Sequence, residues 1–199
     1  YDFLAKQSAN AECAAVVKAD AYGLGLDPIA RVLEKAGCKT FFVATLDEAL
    51  ALRKVTTKQI YVFAGITSED HHAFLPFSIR PVLNSIQQVQ VWNSRGPAAI
   101  HVDTGMNRLG LTKSDFLSLF ENIANGEVKE PNLILSHLAC AEQSDNELNL
   151  VQLKRFRALT AAFEISSKSL SASSGIFLGS QFYFDMVRPG ISLYGGQCQ

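Results

Sequence analysis

The sequence alternates short β-rich runs with helical patterns from end to end, and this alternation leaves few folds open. Strands are expected at residues 14–18, 41–44, 59–64, 79–83, 98–102, 133–137, 169–172 and 186–188, with 191–194 as a candidate continuation of the last. Between them lie helix starts. Asp27-Pro28 offers a capping residue followed by a proline suited to the first helical position. Thr45 with Glu48, and Ser85 with Gln88, have capping-box spacing. Leu150, Leu153, Phe156, Leu159 and Phe163 recur as one apolar stripe, so 149–165 reads as a helix facing a core.

Strands alternating with helices imply parallel pairing through crossovers. Eight such units can lie open as a doubly wound sheet or close as a (β/α)8 barrel. Barrels of this kind usually take about 250 residues, so a chain of 199 is compact for one. An open dinucleotide-binding sheet, however, wants a third glycine after Gly23 and Gly25, and Leu26-Asp27-Pro28 stands there instead. The expected fold is therefore α/β, a (β/α)8 TIM barrel of parallel strands, with residues 1–199 as one domain.

Charge narrows the partners. With 18 Lys+Arg against 19 Asp+Glu there is no basic footprint for nucleic acid, and a small-molecule partner is expected. No apolar run approaches the roughly 20 residues of a membrane span. Cys13, Cys38, Cys140 and Cys198 are scattered without a CxxC pair, which suits reduced thiols in a cytoplasmic protein. His137 and Cys140 could share a helical face, but no second pair completes a zinc shell. His71 and His72, beside Glu69 and Asp70, read as surface.

In such a barrel the C-terminal strand ends meet in the active site. Those ends carry Lys18 and Tyr22, Arg108, His137, Ser173 with Ser174, and Arg188. A lysine in a partly dehydrated pocket can attack a carbonyl to form a Schiff base, as pyridoxal phosphate requires. Arg188 could serve that cofactor's ring nitrogen. Tyr22, Ser173 and the amides of Gly190 and Ile191 could hold its phosphate.

Three motifs, in register along nearly the whole chain, carry a resemblance. AVVKADAYGLG, HVDTGMNRLG and VRPGISLYGG resemble the cofactor-lysine, fifth-strand and barrel-closing motifs of the alanine racemases. The resemblance implies a pyridoxal 5'-phosphate-dependent isomerase that interconverts L- and D-alanine and supplies D-alanine for peptidoglycan. It implies that Lys18 holds the cofactor and acts as one base. It further implies that Tyr22, Ser173, Gly190 and Ile191 bind the phosphate and that Arg188 bonds the ring nitrogen. His137 would lie beneath the ring and position Arg188, while Arg108 would reach the phenolic oxygen and the substrate carboxylate. A guanidinium keeps its proton, so the ring nitrogen would stay unprotonated and the carbanion short-lived.

The family's pattern differs from this sequence at three points. Its second base is a tyrosine in a C-terminal β domain, supplied across a homodimer. The sequence ends at Gln199, and Tyr183 and Tyr194 do not match that position, so the fragment alone is expected to bind cofactor without efficient turnover. His101 stands where the family often has a carbamylated lysine that orients the arginine, with Asp103 as a nearby substitute. Ala172 stands where asparagine is usual. An alternative reading is a single-domain pyridoxal-phosphate homeostasis protein. Phe182 and Tyr183, near the barrel mouth, suggest a surface covered by a partner.

Overall fold

Residues along each strand alternate between two faces, and here both faces are apolar, as a sheet covered on both sides requires. Ala14, Val16, Phe42, Tyr61, Val82, Ala99, Leu133, Leu135 and Met186 pack together as one cluster. Their neighbours in sequence, among them Ala15, Phe41, Val43, Ile60, Val62, Ile100 and Ile134, pack into a second cluster with the helices. The first cluster is the barrel interior and the second the layer between strands and helices. The computed structural model describes residues 1–197.

Seven parallel strands follow in chain order: β2 (Ala15–Val16), β3 (Thr40–Val43), β4 (Gln59–Val62), β5 (Ile79–Leu83), β6 (Ala99–His101), β7 (Leu133–Leu135) and β8 (Ser167–Ser169). The ring closes through a parallel pair of β1 (Glu12–Cys13) with β9 (Met186–Val187). Ala14 N donates to Val187 O and Val16 N to Pro189 O, each at 2.9 Å, so residues 12–16 form one continuous stave. On the other side Asp185 N donates to Lys168 O at 3.0 Å and Arg188 N to Ser171 O at 2.9 Å. The expected barrel is present.

Its economy lies in the crossovers. α-Helices Leu26–Lys35, Leu46–Arg53, Ile86–Trp92, Lys113–Ala124 and Glu147–Thr160 cover five connections. Only 3-10 turns, at His71–Ala73 and at Ser174–Leu178 with Ser180–Phe182, lie between β4 and β5 and between β8 and β9.

Several local expectations need correction. The seventh barrel strand is Ser167–Ser169 rather than 169–172, and only a bridge between Ala172 and Arg188 extends the pairing. Residues 191–194 form a 3-10 turn, not a strand. Gly25 precedes the helix that begins at Leu26, so Asp27 and Pro28 lie inside its first turn. Thr45 and Glu48 do form a capping box. Gln88 gives only half of one: Ser85 accepts from its N–H, but its own side chain accepts from Asn84 N. The 149–165 helix is Glu147–Thr160, with Leu150 49% exposed and Phe163 buried beyond its end. His137 and Cys140 lie outside any helix. Phe182 and Tyr183 are buried in the chain's own core, so they offer no partner surface. Cys198 lies outside the described residues.

Candidate active site

Alternation also aims the polar side chains. Lys18 continues the inward series of Ala14 and Val16, His101 that of Ala99, His137 that of Leu133 and Leu135, and Arg188 that of Met186. All four reach the rim where the strands end. There a cavity of about 410 Å3 is lined by Lys18, Tyr22, His101, Arg108, His137 and Arg188, with Ala172, Ser173, Gly190 and Ile191 on its remaining wall. Every residue expected at the site from the sequence is gathered there.

Past β2 the backbone turns left-handed. Ala19, Asp20, Ala21 and Tyr22 all have φ between 52 and 58°, a conformation costing L-residues roughly 1–2 kcal/mol each. Surrounding bonds hold it: Glu48 Oε1 accepts from Ala19 N at 2.7 Å, and Asp20 Oδ1 accepts from Leu26 N at 2.7 Å. The turn leaves Lys18 half-buried and folds Tyr22 back over the rim, its ring 4.8 Å from that of Tyr194.

Arg188 is 2% exposed, and among the described residues no carboxylate pairs with it. Burial lowers its pKa to about 9, which leaves it charged at neutral pH. Such a cation needs hydrogen bonds. It donates to Ser169 Oγ and to Ser136 O, the latter at 2.6 Å. Ser169 Oγ in turn donates to Met186 O at 2.6 Å. Behind them Thr104 Oγ1 meets Ser136 Oγ at 2.8 Å, and Gln152 Nε2 donates to Thr104 Oγ1 and to His137 O. Ser169 Oγ and Ser136 O thus hold Arg188 directly, and the Gln152 bond to His137 O ties the neighbouring strand end to the same network. Sequence reading missed Ser136, Ser169, Thr104, Gln152 and Asn84. Their only signal is polarity: Ser169 and Asn84 continue inward strand positions, Ser136 and Thr104 lie just past strand ends, and Gln152 sits on the helix Glu147–Thr160.

Ser173 Oγ accepts from Gly190 N at 2.9 Å and Ser192 N at 3.2 Å. The Gly190 amide, expected to face a phosphate directly, is thus turned to Ser173 here. Asp103 does not reach the cavity: its carboxylate accepts from the amides of Gly105, Met106 and Asn107 in its own loop.

Both histidines are neutral. Burial, then Arg188 and Arg108, pull His137 down to about 3, with His101 and Lys18 adding to the shift. His101 falls to about 4 through burial and Arg188, with Asp103 opposing and Arg108 assisting. Tyr183 Oη donates to Ile176 O at 2.7 Å and Tyr194 Oη to Val16 O at 3.0 Å, so both hydroxyls are engaged outside the cavity.

A half-buried pocket with Lys18, Arg108 and Arg188, two uncharged imidazoles and a cluster of hydroxyls suits a planar anionic ligand with an electrophilic carbon. Known proteins resemble the chain in sequence and fold. The chain is 46% identical over 199 residues to the biosynthetic alanine racemase of Agrobacterium fabrum and 44% identical over 199 residues to the alanine racemase of Rhizobium meliloti. These matches cover 96% of this chain but 51% and 52% of the relatives, so the chain spans about half their length. The crystal structure of alanine racemase from Bartonella henselae with covalently bound pyridoxal phosphate superposes with a TM-score of 0.92 at 42% identity, over 98% of this chain and 59% of that one. The relatives are racemases, not single-domain cofactor carriers. With residues 1–198 matching the family described as alanine racemase, N-terminal domain, this chain belongs to that family.

Proposed function

We propose that this chain is the cofactor-holding barrel of a pyridoxal 5'-phosphate-dependent alanine racemase. The reading is carried by the gathering of Lys18, Tyr22, Arg108, His137, Ser173 and Arg188 on one cavity. The residues fit the cofactor. A buried guanidinium without a carboxylate partner suits a ring nitrogen. Gly190 leaves room for the Tyr22 hydroxyl, which a β-carbon there would displace. Tyr22, Ser173 and the amide of Ile191 would then hold the phosphate, with the Gly190 amide seated on Ser173 Oγ.

When bound, the cofactor supplies an aldehyde for a lysine amine and a conjugated ring that accepts electron density from the substrate α-carbon. Lys18 Nζ is the group that binds it, and once released that amine removes or returns the α-proton on one face. Arg188 donates a hydrogen bond and keeps its own proton, which leaves a ring nitrogen at that position unprotonated. Arg108 receives the carboxylate of alanine.

One lysine cannot serve both faces of a planar centre. The Tyr183 and Tyr194 hydroxyls are engaged elsewhere, and the resemblance to the alanine racemases implies that the opposite face is served by a tyrosine of a second, β-rich domain. It would be contributed across a homodimer, in keeping with relatives twice as long. Residues 1–199 would then be one domain of a cytoplasmic enzyme that provides D-alanine for peptidoglycan.

Titration with pyridoxal phosphate tests the reading. A visible absorption band that disappears in Lys18→Ala is expected, together with racemisation of L-alanine by the full-length protein. Absence of a Lys18-dependent band would overturn it.

A further inference from the structure

The β4–β5 crossover carries no α-helix, and below it the starts of the two strands border a further cavity of about 300 Å3. Gln59 and Ile79 open β4 and β5, so this cavity lies at the opposite end of the strands from the candidate active site. Three cations line it, Arg53, Lys58 and Arg80, and among the described residues no carboxylate does. Thr57, Gln59 and Ser78 add polar groups, while Leu75, Ile79 and Pro97 form an apolar wall. Like charges sharing one cavity repel, and an anion between them would offset that repulsion.

The cations are held by neutral groups. Arg53 Nη1 donates to Thr56 O and Lys58 O, both at 2.9 Å, and its Nη2 donates to Ser78 O at 3.1 Å. Its Nε is buried without a hydrogen-bond partner, and burial lowers its pKa. Arg53 thus ties the turn before β4 to the start of β5 and leaves its charge uncompensated. Arg80 shares the inward face of β5 with Val82. Its guanidinium carbon lies 5.5 Å from the Tyr61 ring centre, and Nη1 donates to Gln59 Oε1 at 2.8 Å and Tyr61 Oη at 3.0 Å. Among the described residues its Nε and Nη2 have no partner, and those two donors form a fork that matches paired oxygens. Lys58 Nζ stands 3.8 Å from Glu34 Oε1, too far for a hydrogen bond. Ser78 brings its hydroxyl to the same rim from a left-handed turn, at φ 52°, that L-residues resist.

We propose that this cavity is a second ligand site, which binds a phosphate group, free or carried on a small metabolite. The Arg80 fork accounts for two oxygens. Lys58 and the Ser78 hydroxyl offer donors for the others, more than a carboxylate could use. The site goes beyond the function proposed above and shares no residue with the barrel mouth.

Calorimetric titration of the full-length protein with inorganic phosphate tests the proposal, with sodium chloride at matched ionic strength as the reference. Saturating pyridoxal phosphate is present, so that the barrel mouth is already filled. Saturable uptake of one phosphate per chain is expected. Binding should weaken about tenfold in Arg80→Gln, the worth of one hydrogen bond to a charged group. Lys58→Glu, at a half-exposed position, should weaken it at least as much, with the Lys18-dependent absorption band unchanged in both. Coincident curves for wild type and variants, or acetate bound as tightly as phosphate, would overturn the proposal. Glycerol 3-phosphate separates the two sources. Tighter binding than inorganic phosphate assigns the site to a phosphorylated metabolite resting on Leu75 and Pro97, and weaker binding assigns it to the free ion. The difference between wild type and variants isolates this rim whether or not the mouth holds cofactor, so its outcome is separate from that of the pyridoxal phosphate titration.

Discussion

The hydroxyl of Tyr22 lies against Gly190 so closely that a β-carbon at position 190 would overlap it. Tyr22 belongs to the left-handed turn after β2, and Gly190 follows β9, so the contact crosses the seam where the barrel closes. Val16 is within 3.5 Å of the same point. Barrel closure and the proposed phosphate pocket are therefore one packing problem.

Gly190→Ala isolates that relationship. The substitution puts a β-carbon into the Tyr22 hydroxyl, so its main effect is the displacement of Tyr22. Affinity for pyridoxal phosphate should fall about tenfold, roughly 1.4 kcal/mol, with little change in the unfolding midpoint. Titration of the absorption band reads the first quantity and denaturant unfolding the second. Tyr22→Phe in the Gly190→Ala background should then cost almost nothing more.

Removing the acceptor behind Arg188 should cost stability instead. Ser169 Oγ takes a hydrogen bond from the buried guanidinium and passes its own to Met186 O. In Ser169→Ala both partners lose a bond, and one is a buried charged group. A loss of about 2 kcal/mol is expected. Chemical denaturation checks it, and an unchanged midpoint would show that Arg188 is held by Ser136 and its surroundings without Ser169.

These two cases mark what the residues alone could reveal. Barrel strands were legible because their apolar alternation is strong, and Lys18, Arg108, His137 and Arg188 because charged or imidazole side chains at strand ends are conspicuous. Strand lengths were not, since β8 and β9 stop where Ser171 and Pro189 bond across the seam. The network of Ser136, Ser169, Thr104 and Gln152 was hidden for a different reason. Serine and threonine in a strand look like ordinary β or turn residues until the cation they surround is known to be buried. Phe182 and Tyr183 misled because large aromatics outside regular structure read as exposed, whereas the 3-10 turns fold them inward.

Acid should weaken the fold through His101 and His137. Their native pKa values, about 4 and about 3, lie below the unfolded value near 6.5. Below pH 6.5 the unfolded chain therefore binds protons that the native ring refuses, and stability drops as pH falls. Between pH 7 and 5 each ring should remove about 1–2 kcal/mol. Unfolding midpoints measured across this range should slope downward, and His137→Gln should flatten the slope by about half. A profile unchanged by that substitution would contradict the burial of an uncharged ring.

The turn that presents Lys18 depends on a carboxylate from the next βα unit. Glu48 caps its own helix through Oε2, which accepts from Ala44 N at 2.7 Å and Thr45 N at 3.3 Å, while Oε1 holds Ala19 N. Losing it releases the backbone amide next to the lysine and one wall of a left-handed turn that L-residues resist. Glu48→Ala should destabilise the protein by about 2 kcal/mol and weaken pyridoxal phosphate binding beyond what a cap alone would explain. Ala19→Gly acts on the same turn in the opposite direction. At φ 52° an exposed alanine is strained and glycine is not, so stability should rise by up to about 1 kcal/mol. Combined, Ala19→Gly should recover part of the Glu48→Ala loss in both unfolding midpoint and cofactor affinity. Recovery of stability without recovery of binding would mean that Glu48, rather than the shape of the turn, sets the direction of the lysine.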